Sequence, residues 1–88
     1  MTSQFAKVTH EKVDLELDTS GLLCPLPVIR ASIALGDLSP GQVLRVVTTD
    51  PGALEDIPAL ARQTGNTLLA AERLEDHQLF WIEKGAHS

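Results

Sequence analysis

Two strand-like runs in this chain each lead into a proline-containing turn that is suited to open a helix, and this arrangement constrains the fold most. The first run, residues 13–18, alternates apolar and acidic residues, as a half-buried strand does. Residues 24–27 hold two prolines, which the first helical turn tolerates because the N–H they lack would have no partner there. The second run, residues 43–49, is rich in β-branched residues and leads to Asp-Pro-Gly at 50–52. The sequence therefore predicts two successive strand–helix units.

The second predicted helix is less regular than the first because Pro58 lies within it. An interior proline removes a backbone hydrogen bond and crowds the preceding turn. We therefore expect a loose turn over residues 51–56, followed by a regular helix from residue 56 or 57 to residue 64. Gly65 is predicted as its left-handed end. The residues predicted to cap it are Asp50 and Asp56.

The last third of the chain predicts a hairpin. Residues 67–74 and 78–83 read as strands around the short polar connector at 75–77. The order becomes β-α-β-α-β-β, which predicts an α/β (α+β) two-layer sandwich with both helices on one face of a four-stranded mixed sheet. The apolar residues expected to face that sheet are Val28, Ala31, Leu35 and Leu38 in the first helix, and Ile57, Leu60 and Ala61 in the second.

Length and charge narrow the class of protein. A chain of 88 residues has room for one domain, predicted at residues 13–85, with a flexible extension at 1–12 and a tail at 86–88. Seven Lys and Arg against twelve Asp and Glu give a net charge of −5, which argues against nucleic acid as a partner. No apolar run is long enough to span a membrane, and the polar N-terminus does not resemble a secretory signal. We therefore expect a cytoplasmic protein. We also expect a monomer, since self-association offers no obvious advantage to a small acidic chain with one thiol.

Cys24 is the one cysteine, so it has no partner for an intramolecular disulfide and belongs to no thiolate metal cluster. We expect neither a metal nor a cofactor. Because unpaired N–H groups and the positive end of the helix dipole stabilise a thiolate, a cysteine at a helix start is predicted to have a lowered pKa and to be reactive. Arg30 is expected to add positive field if it points back. Asp18 is expected either to hydrogen-bond the backbone of the loop before Cys24 or to be a solvated carboxylate at the end of the strand. The alternative is a buried structural cysteine.

The residues around Cys24 resemble the signature of the TusA (SirA-like) sulfur-carrier family, in which Cys-Pro-x-Pro opens the first helix. Here the signature reads Leu17-Asp18-Thr19-Ser20-Gly21-Leu22-Leu23-Cys24-Pro25-Leu26-Pro27-Val28. The resemblance runs from Val13 to Gly85 and includes Ser39-Pro40-Gly41, Thr49-Asp50-Pro51 and Asp56-Ile57-Pro58.

The resemblance implies the same two-layer sandwich and a role for Cys24 as a persulfide carrier, with Pro25 and Pro27 shaping its turn. The sulfane sulfur would come from a cysteine desulfurase or a rhodanese-type donor and pass to an acceptor protein. The route would serve tRNA thiolation, molybdenum-cofactor supply or sulfur oxidation. Such a chain is a component of a relay rather than a stand-alone enzyme. The apolar residues that flank the sulfur are Leu22, Leu23 and Leu26, and we expect them either to dock these partners or to be partly buried between strand and helix.

Two other functions are weighed against the carrier. One is a non-catalytic interaction module in which Cys24 is inert and alkylates slowly. The other is a thiol reductase or isomerase, which the missing second cysteine disfavours. The chain also departs from relatives in sulfur oxidisers, which often have lysines just after the motif arginine, whereas Arg30 is followed here by Ala31 and Ser32. This departure leaves fewer positively charged side chains near the thiol.

Overall fold

Six elements follow one another in the predicted order along residues 13–86, the part of the chain that the computed structural model describes. The predicted extension at 1–12 lies outside the described residues, and the predicted domain limits stay predictions. The hairpin strands and the first helix form close to where the sequence predicts them, while the first strand begins two residues later than predicted. The elements are β1 (Leu15–Thr19), α1 (Leu26–Gly36), β2 (Val43–Thr48), α2 (Ala53–Gln63), β3 (Thr67–Arg73) and β4 (Gln78–Glu83).

The four strands form one mixed sheet in the order β1-β2-β4-β3. β1 runs parallel to β2, and β4 runs antiparallel to both of its neighbours. Thr19 at the end of β1 lies opposite Thr48 at the end of β2. Because parallel strands end at the same edge of a sheet, the loop after β1 and the loop after β2 leave the fold side by side. This edge carries the candidate site.

Both helices cover one face of the sheet and contact each other, which confirms the predicted two-layer architecture. Leu44, Val46, Phe80 and Ile82 project from the central strands β2 and β4 and are buried in a cluster with the helices. Within α1, Ala31 and Leu35 are buried as predicted, whereas Val28 is only partly buried against the core. Leu38, predicted in the same helix, lies two residues beyond its end and is also partly buried. The predicted residues of α2, namely Ile57, Leu60 and Ala61, are all buried.

α2 is one continuous helix, so the predicted loose turn over residues 51–56 is wrong. Pro58 lies inside α2 and removes only the hydrogen bond that its N–H would have donated to the carbonyl of Leu54. The helical bonds on either side form, since the N–H of Asp56 donates to Gly52 O at 3.1 Å and that of Thr64 to Leu60 O at 3.0 Å. Burial of one face of α2 outweighs the single lost bond. Gly65 follows at φ 77°, the predicted left-handed end.

Lys84 is a buried cation that stabilises the end of α1. Its side chain is 7% exposed, and Nζ donates to the carbonyl of Leu35 at 2.6 Å. The last carbonyls of a helix have no intrahelical donor and lie at the negative end of the helix dipole. The Leu35 carbonyl also accepts the N–H of Leu38 at 3.1 Å, so the ammonium of Lys84 supplies a second donor and a complementary charge.

Replacing Lys84 with methionine is expected to lower the free energy of unfolding by about 1.5–3 kcal/mol, because the Leu35 carbonyl loses a charged hydrogen bond while the apolar stem is kept. Urea denaturation measures this change. Arg73→Met, which removes an exposed cation from β3, is the control and is expected to change stability by about 0.5 kcal/mol or less. Equal stability of the two variants would contradict the role assigned to Lys84.

Candidate functional site

Cys24 lies in the loop between β1 and α1, two residues before the helix begins. Its thiol is exposed, so the alternative of a buried structural cysteine is wrong. Pro25 is the N-cap of α1, and Pro27 is buried in its first turn, which agrees with the prediction that prolines open this helix. The Cys24–Pro25 peptide bond is cis. The sulfur is therefore presented to solvent from a turn that two prolines shape.

Asp50 joins the Cys24 loop to the loop that follows β2. Its Oδ2 accepts the N–H of Cys24 at 2.8 Å, and its Oδ1 accepts the N–H of Gly52 at 3.3 Å. The Asp50 N–H in turn donates to Thr48 Oγ1 at 3.1 Å. The prediction that Asp50 caps α2 is wrong, because Gly52 is the N-cap and the helix has no side-chain cap bond. The carboxylate instead reaches across the sheet edge and fixes the backbone of Cys24.

Asp56 contacts the sulfur itself. The Cys24 thiol donates to Asp56 Oδ2 over a sulfur–oxygen distance of 3.4 Å. This hydrogen bond is the main cause that raises the pKa of Cys24 above its ordinary value, and partial desolvation and the charges of Asp56 and Asp50 add to it. Asp56 lies in the first turn of α2, so it is not the cap that the sequence predicts. The contact with Asp56 therefore disfavours the thiolate form of Cys24.

The start of α1 does not stabilise a thiolate as the sequence predicts. The N–H of Cys24 is taken by Asp50, and the N–H of Leu26 donates to Leu23 O at 2.9 Å. Pro25 and Pro27 have no N–H to offer. The prolines that open the helix therefore remove some of the donors that an anion would need, and the nearest charges are negative. The expectation of a lowered pKa for Cys24 is wrong for these reasons.

Asp18 organises the beginning of the loop, as predicted. Its Oδ1 accepts the N–H of Ser20 at 2.9 Å and the Ser20 hydroxyl at 2.6 Å, and these bonds lower the pKa of Asp18. The N–H of Gly21, at φ 83°, then donates to Thr49 Oγ1 at 2.8 Å. These bonds hold the turn that precedes Cys24 against the loop after β2.

Arg30 is exposed on α1 and is not among the groups that shift the pKa of Cys24. Within residues 13–86 the ion pairs join Arg45 to Glu16 and His77 to Asp76, and neither involves Arg30. The contacts of the site therefore do not show the predicted stabilisation of the Cys24 thiolate by Arg30.

An open groove lies beside the thiol, between the start of α1 and the face of α2 that runs from Asp56 to Gln63. Its volume is about 310 Å³. The walls are largely apolar, and the polar groups on them are Cys24, Asp56 and Gln63. The remaining residues that line it are Pro25, Val28, Ala59 and Leu60. The thiol and the carboxylate that holds it thus face the same recess.

The sequence and the fold of this chain are similar to those of known proteins. Residues 15–84 match the family described as Sulfurtransferase TusA. The chain belongs to the TusA family. It is 49% identical over 71 residues to the sulfur carrier protein TusA of Allochromatium vinosum, covering 81% of this chain and 93% of that protein. A sulfur carrier protein TusA of Pseudomonas aeruginosa is 39% identical over 79 residues, covering 90% and 99%. These relatives support a role as a sulfur carrier.

A solved structure extends the likeness to three dimensions. The SirA-like protein of Desulfitobacterium hafniense superposes with a TM-score of 0.67 at 28% identity, covering 81% of this chain and 97% of that one. The TusA-family resemblance and the predicted fold class are therefore both confirmed. In the described part of this TusA-family chain, no helix has the length and apolar character needed to cross a bilayer. Residues 13–86 also contain no cluster of side chains suited to bind a metal ion.

An exposed apolar surface continues from the cysteine turn of the TusA-family chain along α1. Of the predicted docking residues, Leu23 is 69% and Leu26 41% exposed, whereas Leu22 is half-buried. Ile29 and Ile33 extend this surface at 46% and 63% exposure and were not among the predicted docking residues. Their signal is the spacing of residues 26, 29 and 33, which is a second helical stripe beside the buried one. We call Leu23, Leu26, Ile29 and Ile33 the apolar ridge.

Proposed function

We propose that this TusA-family chain carries sulfane sulfur as a persulfide on Cys24, accepting it from one protein and passing it to another. The observation that carries the proposal is an exposed thiol at a proline-shaped turn in a chain whose relatives are named sulfur carrier proteins. A resolving thiol in the same chain would intercept the cargo, and the sequence has no second cysteine.

The chemistry requires only exchange at sulfur. The Cys24 thiolate attacks the outer sulfur of a donor persulfide, so that a new S–S bond forms at Sγ while the donor's S–S bond breaks and its inner sulfur leaves as a thiolate. An acceptor thiolate then attacks the outer sulfur on Cys24 and releases the Cys24 thiolate. Each leaving thiolate takes up a proton from water. The two steps balance without an external oxidant or reductant, and no cofactor is needed beyond the covalent persulfide.

The chain is proposed to meet a cysteine desulfurase or a rhodanese-type protein as donor and a thiol-bearing acceptor protein downstream. The sulfur would serve tRNA thiolation, molybdenum-cofactor supply or sulfur oxidation. The expected setting is the cytoplasm, and the expected state is a monomer that presents its one thiol to two partners in turn.

Intact-mass spectrometry tests the proposal. The chain is incubated with a cysteine desulfurase and cysteine, or with a rhodanese and thiosulfate, and its mass is expected to rise by one sulfur atom. Treatment with a reductant is expected to reverse the gain. A chain that gains no sulfur from either donor would overturn the carrier function.

The raised pKa of Cys24 favours one second candidate, a non-catalytic interaction module with an unreactive cysteine. A protonated thiol is a poor nucleophile, so slow alkylation of the free chain is expected of both candidates. The loading experiment separates them, because an interaction module never gains sulfur whatever donor is supplied.

The apolar ridge is predicted to contact the sulfur-transfer partners, because it adjoins the thiol that must meet the partner's sulfur. Ile33→Ser removes its most distant member and is expected to slow loading of Cys24 by about tenfold, the effect of one well-buried interface contact. Arg62→Ser, an exposed change on α2, is the control for loss of an exposed side chain. Alkylation of the free thiol should be the same in both variants. Equal loading rates would show that the ridge is not an interface.

A further inference from the structure

Two carboxylates flank a thiol whose proposed reaction passes through anions. Asp56 Oδ2 lies 3.4 Å from the sulfur, and Asp50 Oδ2 lies 2.8 Å from the nitrogen of the same residue. A thiolate or a persulfide anion on Cys24 would add a third negative charge at this corner of the sheet. Because like charges disfavour ionisation, the free chain is organised to keep its sulfur protonated.

The charges that act on the Cys24 thiol within residues 13–86 are negative. The groups that act on the Cys24 pKa are Asp56 on α2 and Asp50 in the loop before it, and both raise it. The carboxylate of Asp18 at the end of β1 is bonded to Ser20. On α1, Arg30 makes no ion pair, and neither ion pair of residues 13–86 includes Asp50 or Asp56. Both carboxylates are thus without an ion-pair partner within residues 13–86, and a second protein can supply a cation to Asp56.

The groove beside the thiol offers a path by which a cationic side chain of a partner can reach Asp56. Cys24 and Asp56 both lie on its wall, and Asp56 is partly exposed. A volume of about 310 Å³ is at the lower end of the range of small-ligand pockets, so the groove admits one long side chain of a partner. Val28 and Leu60 on its walls suit the apolar stem of a lysine or an arginine, while Asp56 suits the cationic head.

We propose that Asp56 holds Cys24 as an unreactive thiol in the free protein, and that a lysine or arginine of the sulfur-transfer partner enters the groove, pairs with Asp56 and releases the thiolate. This inference rests on the proposed function, since the partner is the protein that gives or takes the sulfur. On pairing, the proton of Cys24 Sγ passes to water, and the thiolate attacks the partner's outer sulfur as described above. The partner then carries its cation next to its reacting cysteine.

The arrangement restricts the reaction to the docked complex. An opposite charge within a few ångströms favours the ionised form of a group, so a cation on Asp56 removes the largest cause that keeps the thiol protonated. Without a partner, the thiol reacts slowly with small disulfides and oxidants, because those reactions also need the thiolate.

Alkylation of the free chain with iodoacetamide tests whether Asp56 keeps the thiol protonated. The rate is measured from about pH 6 to about pH 10, which spans the range in which free thiols ionise. Asp56→Asn is expected to move the rate profile to lower pH and to raise the rate at pH 7 by about threefold or more, as the thiolate fraction rises. Glu55→Gln is the matched control, since Glu55 lies in the same helical turn without a contact to the sulfur. Coinciding profiles of Asp56→Asn and the wild-type chain would overturn the inference.

Placing a cation beside Asp56 by substitution tests whether pairing with Asp56 releases the Cys24 thiolate. Ala59 lines the groove three residues after Asp56, so a lysine at 59 is placed to pair with that carboxylate. Ala59→Lys is expected to move the alkylation profile to lower pH, as Asp56→Asn does, while the neutral Ala59→Gln leaves it in place. If Ala59→Lys fails to fold by circular dichroism, Gln63→Lys places the cation on the same wall. A folded lysine variant with an unchanged profile would overturn release by a cation.

These measurements use no sulfur donor, so they separate the inference from the proposed function. If the wild-type chain gains no sulfur but Asp56→Asn shifts the alkylation profile, the carrier function is wrong and the role of Asp56 is kept. A chain that loads sulfur while its profile is indifferent to Asp56 and to a lysine at 59 remains a carrier, and the inference fails.

Discussion

Serine in place of Cys24 is expected to leave the fold intact and to abolish sulfur loading completely. The hydroxyl is close in size to the thiol and can donate to Asp56 Oδ2 in its place, and the N–H of residue 24 still donates to Asp50. The side chain is exposed, so no core packing is lost. A hydroxyl oxygen cannot accept sulfane sulfur by thiol exchange, since that reaction needs a thiolate.

Intact mass and circular dichroism together check this prediction. Cys24→Ser is incubated with the same donors as the wild-type chain and is expected to keep its mass while retaining the wild-type spectrum. Ser32→Ala is the control, because Ser32 is exposed on α1 and is not among the residues that bond the cysteine turn. A sulfur gain in Cys24→Ser that a reductant removes would place the persulfide elsewhere, and the assignment of Cys24 would be wrong.

The fold was predictable because its determinants are local. The alternation of residues 13–18, the prolines at 24–27 and the β-branched run at 43–49 each predict an element from neighbouring residues alone. The order of the elements then leaves few topologies, and the two-layer sheet is one of them. The continuity of α2 through Pro58 was not predictable in this way, because burial of Ile57 and Leu60 supplies the energy that one missing hydrogen bond removes.

The hydrogen-bond partners of Cys24 were not predictable, because they depend on contacts between residues far apart in the sequence. An aspartate before Pro-Gly is read locally as a helix cap, yet Asp50 accepts from the backbone of a residue 26 positions earlier. Asp56 accepts from the sulfur across 32 positions. Both contacts depend on the parallel pairing of β1 with β2, which brings the two loops to one edge. The position of the thiol was therefore predicted correctly from the sequence, whereas the direction of its pKa shift was predicted wrongly.

Replacing Phe80 with alanine is expected to lower the free energy of unfolding by about 3–5 kcal/mol. Phe80 is 1% exposed on the central strand β4, lies opposite Val46 and belongs to the cluster that joins the sheet to both helices. Small domains have little stability to lose, since unfolding free energies of about 5–15 kcal/mol are usual and short chains bury the least surface. Much of that margin is expected to disappear in this variant.

Urea denaturation of Phe80→Ala measures the loss, and Leu69→Ala is the control because Leu69 is 43% exposed on the edge strand β3. The control is expected to change stability by about 0.5 kcal/mol or less. Unfolding also separates Cys24 from Asp56, so the unfolded fraction of Phe80→Ala is expected to alkylate as an ordinary cysteine does, at a lower pH than the native thiol. A loss below about 1 kcal/mol would contradict the packing of Phe80, because a cavity of that size in a close-packed core costs more.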